Sequence, residues 1–328
     1  MLRYVIKRLL YMIPTLFGLS VIAFMIIQLP PGDYITSMIA SMQDSGANVD
    51  PQQVERLREI YGFNDPVWLQ YLKWITGILT RGDFGYSFEW NRPVAELIWE
   101  RMGSTLAISI AALLFVWAVS LPIGIYSAMR RHSVGDYVFT FLGFIGLAVP
   151  NFILALTLMY LSYRYFGQSV GGLYSPEYVD APWSWAKLVD LLHHLWIPII
   201  VIGTSGTAAL IRILRANLTD ELSKPYVITA KAKGLPEHRV VVKYPVRIAL
   251  NPFVSAIGWV LPELVSGITI TAIVLNLPTA GPLLLRALIS QDMYLAGSFI
   301  LLMGVLTLIG MLISDLLLAL LDPRIRFR

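Results

Sequence analysis

Residues 226–251 read YVITAKAKGLPEHRVVVKYPVRIALN. This is a basic, amphipathic stretch punctuated by one glycine and set between two apolar runs of membrane-crossing length. Lys231 and Lys233 precede Gly234, Leu235 and Pro236, where a helix can end and the backbone can turn under little steric constraint. The stretch is expected to form a short docking helix that stands out from the apolar segments on either side.

Working outward from it, the chain is that of a membrane protein. Of 328 residues 56% are hydrophobic and only 14% charged, and mean hydropathy is +0.66. A run of about 20 apolar residues crosses the hydrocarbon layer as a helix. Six such runs are found, near 9–29, 105–129, 137–160, 195–211, 253–274 and 296–321. The expectation is an all-α, polytopic fold with six transmembrane helices. The first run is too long for a signal peptide, and the Leu-Pro-Pro-Gly after it is not a small-residue cleavage site. Pro14, Pro122, Pro150, Pro198 and Pro262 fall inside these runs and read as kinks whose freed carbonyls are satisfied by neighbours.

Basic residues orient the chain, because those near span ends are retained in the cytoplasm. With both termini inside, the inner pieces hold 16 of the 25 basic residues: three before the first run, Arg130 and Arg131, eight from Arg212 to Arg247, and Arg324, Arg326 and Arg328. The outer pieces hold nine basic against 14 acidic residues. The net charge of +4 is therefore a topological signature. A nucleic-acid partner is not implied, since the basic residues are divided among short loops and form no single stripe.

Three parts follow: residues 1–29 with the N-terminus and first span, an outer helical insertion at 30–104, and a five-helix core at 105–328 carrying the basic loop at about 212–248. In the insertion, Asp50, Pro51 and Gln53 form a helix-start pattern, Val54, Leu57 and Tyr61 share a face, and Gly62 stops the helix. A second helix is expected over 66–79, with Trp68, Tyr71, Leu72, Ile75 and Leu79 as its apolar face.

Several chemistries find no footing. Cysteine is absent, which excludes disulfides and thiolate metal sites. No Gly-Lys-Ser or Gly-Lys-Thr is present to hold nucleotide phosphates, and no His-Glu-x-x-His or Gly-x-Ser-x-Gly occurs. His193 and His194, adjacent on a helix, point in different directions and read as structural. Gly203, Thr204, Ser205, Gly206, Thr207, Ala208 and Ala209 form a small-residue patch suited to close helix contact. Glu263, near the middle of the fifth run, is the sharpest anomaly. An ionisable group there costs about 2.5–3.5 kcal/mol on insertion scales, so it is a candidate for the translocation pathway. A hydrogen-bonded structural carboxyl near Pro262 is the other reading. Asp315, near the end of the sixth run, reads as a satisfied helix-contact residue.

The 226–251 stretch resembles the cytoplasmic coupling loop of ABC importer permeases in the dipeptide, oligopeptide and nickel group, whose pattern is roughly YVxTAxAKGL with a later proline, here Pro252. The N-terminal RYVIKRLLYMIPTLFGLSVIAF at 3–24, continued by Pro31-Gly32-Asp33, is similar to that group's first span. Gly82-Asp83-Phe84-Gly85 with Ser87 and Pro93-Val94 is similar to its outer loop, and Asp322-Pro323-Arg324-Ile325-Arg326 to its ending. Two positions depart. General importer permeases carry Glu-Ala-Ala where this chain has Ile228, Thr229 and Ala230. Many peptide permeases carry an acidic residue where this chain has Ala272, six places before Pro278-Thr279-Ala280-Gly281.

The resemblance implies the type I importer permease fold in the bacterial inner membrane, N-in and C-in, and no catalysis by this chain. It implies ATPase coupling through Tyr226, Thr229, Ala230, Lys231, Ala232, Lys233, Gly234, Leu235 and Pro236. The implied partners are a second homologous permease, one or two cytoplasmic ATPases that hold the ATP and Mg, a periplasmic solute-binding protein and membrane lipids. No cofactor or metal is expected in this chain. Peptides are the expected solute, with oligosaccharides, opines or nickel as alternatives. A secondary transporter driven through Glu263 is the rival of a different class, although internal repeats are not found.

Overall fold

The computed structural model describes residues 2–28, 65–87, 89–168, 171–255 and 269–321. These are mostly helical: α1 (Leu2–Gln28), α2 (Val67–Arg81), α3 (Val94–Met129), α4 (Val134–Ala148), α5 (Asn151–Phe166), α6 (Trp185–Leu222), α7 (Pro225–Ala232), α8 (Glu237–Lys243), α9 (Pro245–Ala249), α10 (Thr269–Val274), α11 (Ala280–Ile289) and α12 (Met293–Leu321). A two-residue antiparallel ladder pairs β1 (Tyr86–Ser87) with β2 (Arg92–Pro93). Among the described residues α1, α3, α6 and α12 are each long and apolar enough to cross a membrane, and α4 with α5 would make a fifth span. The run at 253–274 lies largely outside the described residues, as do the helix expected at 50–62 and the C-terminal Asp322–Arg326 motif.

One expected span is broken. The run at 137–160 forms α4 and α5, which meet at 102°. Pro150 is the cause, because its ring disfavours the α conformation at the residue before it, and Val149 is extended at φ −82°, ψ 119°. Pro14, Pro122 and Pro198, by contrast, stay inside continuous helices. Two helices extend furthest beyond their apolar runs: α3 begins at Val94 and α6 spans 38 residues.

The chain divides into two compact units. One comprises Ile6–Thr105 and Thr279–Leu306. Its centre is aromatic: Phe24 of α1 meets Tyr71 edge-on at 5.5 Å and Trp74 at 5.7 Å, with Met293 and Leu301 beside them. The Ser20 and Tyr71 hydroxyls share a 2.8 Å hydrogen bond. Helix α2 is therefore turned by roughly a quarter from its expected face. Tyr71 and Ile75 do pack inward, together with Trp74 and Ile78, while Trp68, Leu72 and Leu79 are exposed. The aromatic partners on α1 and α12 select the Trp74 side, which the spacing within α2 does not encode.

The Gly82–Ser87 motif builds the link from α2 to α3. Gly82 (φ +63°) takes the left-handed conformation that ends α2, and Asp83 accepts a hydrogen bond from the Gly85 N–H at 2.9 Å. Gly85 lies against the Tyr294 ring, where a β-carbon would stand 2.9 Å from it. Ser87 donates to the buried Asp292, whose other oxygen accepts from Leu295 N–H at 3.2 Å and caps α12.

The second unit comprises Met1–Val5, Leu106–Pro278 and Thr307–Arg328. Helix α6 is its axis, with α4, α5 and α9 packed along it. One core gathers Ile108, Ala112 and Ala155 around Ile197, Val201 and Ile202, together with Leu275. The small-residue patch works as expected: a β-carbon on Gly203 would stand 2.5 Å from Phe115, and one on Gly146 would stand 2.8 Å from Thr204. Ahead of α6, Lys187 is buried, with its ammonium donating to the carbonyls of Val179 and Ala181 and lying over the Tyr174 ring. His194 is buried with Nδ1 2.8 Å from the Asp190 carbonyl, whereas His193 is exposed, so the two do not converge.

Candidate functional site

The basic segment leaves α6 through a short turn after Leu222. Pro225 takes the first position of α7, where its missing N–H is no loss, and Lys224 precedes it in extended conformation. Helix α7 ends at Ala232, and Gly234 turns the chain at φ +76° with open space where a β-carbon would project. Pro236 then precedes α8, and Pro245 starts α9. Three short helices thus stand where one helix and a turn were expected. Prolines at 225, 236 and 245 account for the number, since each stands at the start of a helix, where its missing N–H costs no hydrogen bond.

Two small cores hold the segment. Val227 and Ala230 of α7 pack on Val240 of α8, with Tyr244 partly covering them. Beyond that, Val241, Val246, Ala249 and Phe253 pack against Leu210, Leu214 and Leu218 of α6 and against Val116 and Ala128 of α3. The ring of Phe253 meets Trp117 edge-on at 6.4 Å. The protrusion is consequently anchored on two membrane-length helices rather than hinged from one end.

Its outward side mixes charge with apolar surface. Of the eight basic residues from Arg212 to Arg247, seven are exposed, and Arg215 is the partly covered one. Ile228 is 61% exposed and Val242 65% exposed, with Tyr226, Leu235 and Ile248 also open. Lys231 pairs with Glu237 at 3.2 Å across the Gly234 turn. Partial burial, followed by a hydrogen bond to Glu221, pushes the Tyr226 phenol above its usual range, so it remains a neutral donor.

A sequence family described as binding-protein-dependent transport system inner membrane component matches residues 120–327, and its N-terminal counterpart matches residues 1–109. The chain belongs to this permease family. Over 329 residues covering 100% of both chains it is 35% identical to the oligopeptide transport system permease protein AppB of Bacillus subtilis. It is 34% identical over 328 residues, 99% of each chain, to a putative peptide permease protein of Brucella ovis. The dipeptide transport system permease protein DppB of Escherichia coli K12 is 29% identical over 344 residues, 100% of each. The permease is thus a multi-pass inner-membrane protein, consistent with its membrane-length helices.

Within the permease, the predicted coupling residues fall together. Tyr226, Thr229, Ala230, Lys231 and Ala232 lie on α7, and Lys233, Gly234, Leu235 and Pro236 form the turn into α8. They divide by role. Ala230 is buried and holds α7 to α8, and Thr229 returns its hydroxyl to the Pro225 carbonyl at 2.9 Å. The other members are exposed, and Tyr226, Lys231, Lys233 and Leu235 are the large side chains among them. Glu263 lies outside the described residues.

Sequence reasoning missed two things. Ile228 and Val242 are prominent on the exposed side, but adjacent apolar residues such as Val227 and Ile228 do not reveal which one faces out. The second is a polar pair, Asp136 and Arg215, joined by two hydrogen bonds at 2.8 and 2.7 Å. Its members are 79 residues apart, and no local pattern links them.

Proposed function

We propose that this chain is the membrane-spanning permease subunit of an ATP-driven importer that carries peptides into the cytoplasm by alternating access. The observation that carries the reading is the anchored protrusion at 225–249, which presents five exposed cations and an exposed apolar surface. Apolar side chains left open on a basic protrusion are the signature of a protein partner. An acidic, partly apolar surface on a cytoplasmic ATPase fits it, and ATP with Mg would be held there. Membership of the permease family supports that assignment. The relatives named as oligopeptide and dipeptide permeases support peptides as the solute.

The remaining parts follow from the same reading. Six spans with both termini inside would put residues 30–104 in the periplasm, where a solute-binding protein delivers its load, and 212–248 in the cytoplasm. A homologous permease would complete the pathway, and this chain would perform no covalent chemistry. Glu263, from its mid-span position, is proposed to face the pathway. The test is uptake of labelled short peptides into proteoliposomes containing the full complex, with ATP inside and binding protein outside. Uptake that requires ATP and persists with a protonophore is expected. Protonophore-sensitive, ATP-independent uptake would mean a secondary transporter.

A further inference from the structure

Helices α4 and α6 run antiparallel, and their contacts step in register: Gly146 meets Thr204, Gly143 meets Ala208, and further along Asp136 meets Arg215. The first is close because glycine leaves no β-carbon there, since one on Gly146 would stand 2.8 Å from Thr204; at Gly143 a β-carbon would meet Ala208 at an ordinary 3.7 Å. The third is a fork. Arg215 Nε donates to Asp136 Oδ1 at 2.8 Å and a terminal guanidinium nitrogen to Oδ2 at 2.7 Å. The Asp136 side chain is 1% exposed, and its Oδ2 also accepts from the His132 N–H at 3.0 Å. Both carboxylate oxygens are held, so the group is fixed in direction as well as in charge.

The location gives the fork its meaning. Arg215 sits on the last stretch of α6, the helix that leads into α7 and packs on Val241, Val246 and Ala249 through Leu214 and Leu218. Asp136 sits in the first turn of α4, whose far end breaks by 102° into α5. Apolar contacts are non-directional and tolerate sliding. A two-pronged charged contact is directional, so a shift of α6 passes to α4 with its direction kept.

We propose that Asp136 and Arg215 are positioning residues that make α4 move with the 225–249 segment, delivering displacement of that segment to the bent pair α4–α5. The proposal rests on the ATPase-coupling role assigned above to that segment. It differs from a structural staple, which would hold the fold without affecting how much transport each ATP yields.

The experiment uses the full complex in proteoliposomes with binding protein and a labelled mixture of short peptides. Wild-type complex must take up peptide in an ATP-dependent manner; failure there sinks the coupling reading itself rather than the clamp. Asp136→Asn and Arg215→Lys are then compared at equal assembled complex. Lysine keeps the charge but lacks the fork. Both are expected to assemble and hydrolyse ATP, while peptide imported per ATP falls at least fivefold. A ratio within twofold of wild type in assembled Arg215→Lys complex overturns the proposal, as does failure of Arg215→Lys to assemble, which would make the pair a folding element. Should Asp136→Asn alone fail to assemble, the Arg215→Lys ratio decides.

Discussion

Gly203 lies directly against the ring of Phe115: a β-carbon at 203 would stand 2.5 Å from Cδ1 and 3.0 Å from Cε1. Three residues on, a β-carbon at Gly206 would meet Val116 at 3.5 Å, an ordinary van der Waals contact. Two glycines on one helix therefore have different standing. The first permits the approach of α3 to α6, and the second merely accompanies it.

The two alanine substitutions should consequently move stability in opposite directions. Replacing glycine by alanine inside a helix gains about 0.5–1 kcal/mol of backbone entropy, and overpacking a close contact costs about 1–3 kcal/mol. Gly206→Ala is expected to melt slightly above wild type in detergent, and Gly203→Ala below it. Equal melting temperatures for the two variants would show that the α3–α6 contact is looser than described.

A separate expectation concerns the chain ahead of α6. The Lys187 ammonium donates to the carbonyls of Val179 at 3.2 Å and Ala181 at 2.6 Å, and lies 4.8 Å from the centre of the Tyr174 ring. Lys187→Met keeps the apolar stem and removes the donor. Leaving those acceptors unpaired should cost about 1–2 kcal/mol. Limited proteolysis between Tyr174 and Ser184 should become several-fold faster, with the rest of the permease unchanged; an unaltered cleavage pattern would deny the lysine its tethering role.

Much of this architecture was legible from composition and punctuation. Apolar length located α1, α3, α6 and α12, Pro66 marked the start of α2, and Gly234 marked the turn of the 225–249 segment. These are local signals, each carried by a few neighbouring residues. What was not legible depends on distant partners. The side on which α2 is buried is chosen by Phe24 and Met293. The Asp136–Arg215 fork and the Ser87–Asp292 bond join positions with no common pattern. Pro150 announced a disturbance, yet a proline alone does not set whether a helix bends gently or turns through 102°.

In the 225–249 segment, the Lys231–Glu237 pair separates stability from the proposed docking role. Both side chains are largely exposed, at 47% and 67%, and such pairs contribute about 0–1 kcal/mol. Lys231→Ala should therefore leave the melting temperature nearly unchanged. If Lys231 faces the ATPase, peptide-stimulated hydrolysis should fall several-fold and become less sensitive to added salt. A large loss of stability with normal stimulation would place the lysine in the fold instead.

Gly234 offers the sharpest test, because its space and its backbone make different demands. No atom lies within 4 Å of a β-carbon placed there, yet φ is +76°. Within the isolated permease, then, Gly234→Ala should cost only the left-handed backbone penalty, about 1–2 kcal/mol, and Gly234→Asn less. Gly234→Glu should insert and fold as the alanine variant does, since its longer side chain meets nothing in this chain. In the full complex the outcome diverges. A carboxylate projecting from the turn toward an acidic partner would repel it, so uptake and peptide-stimulated ATP hydrolysis should be lost with Glu while Ala retains most of both. Purified complexes of the three variants, compared for melting temperature, stimulated hydrolysis and uptake, check this. Wild-type coupling in the Glu variant would remove Gly234 from the docking surface, and equal loss in Ala and Glu would assign the glycine to backbone geometry alone.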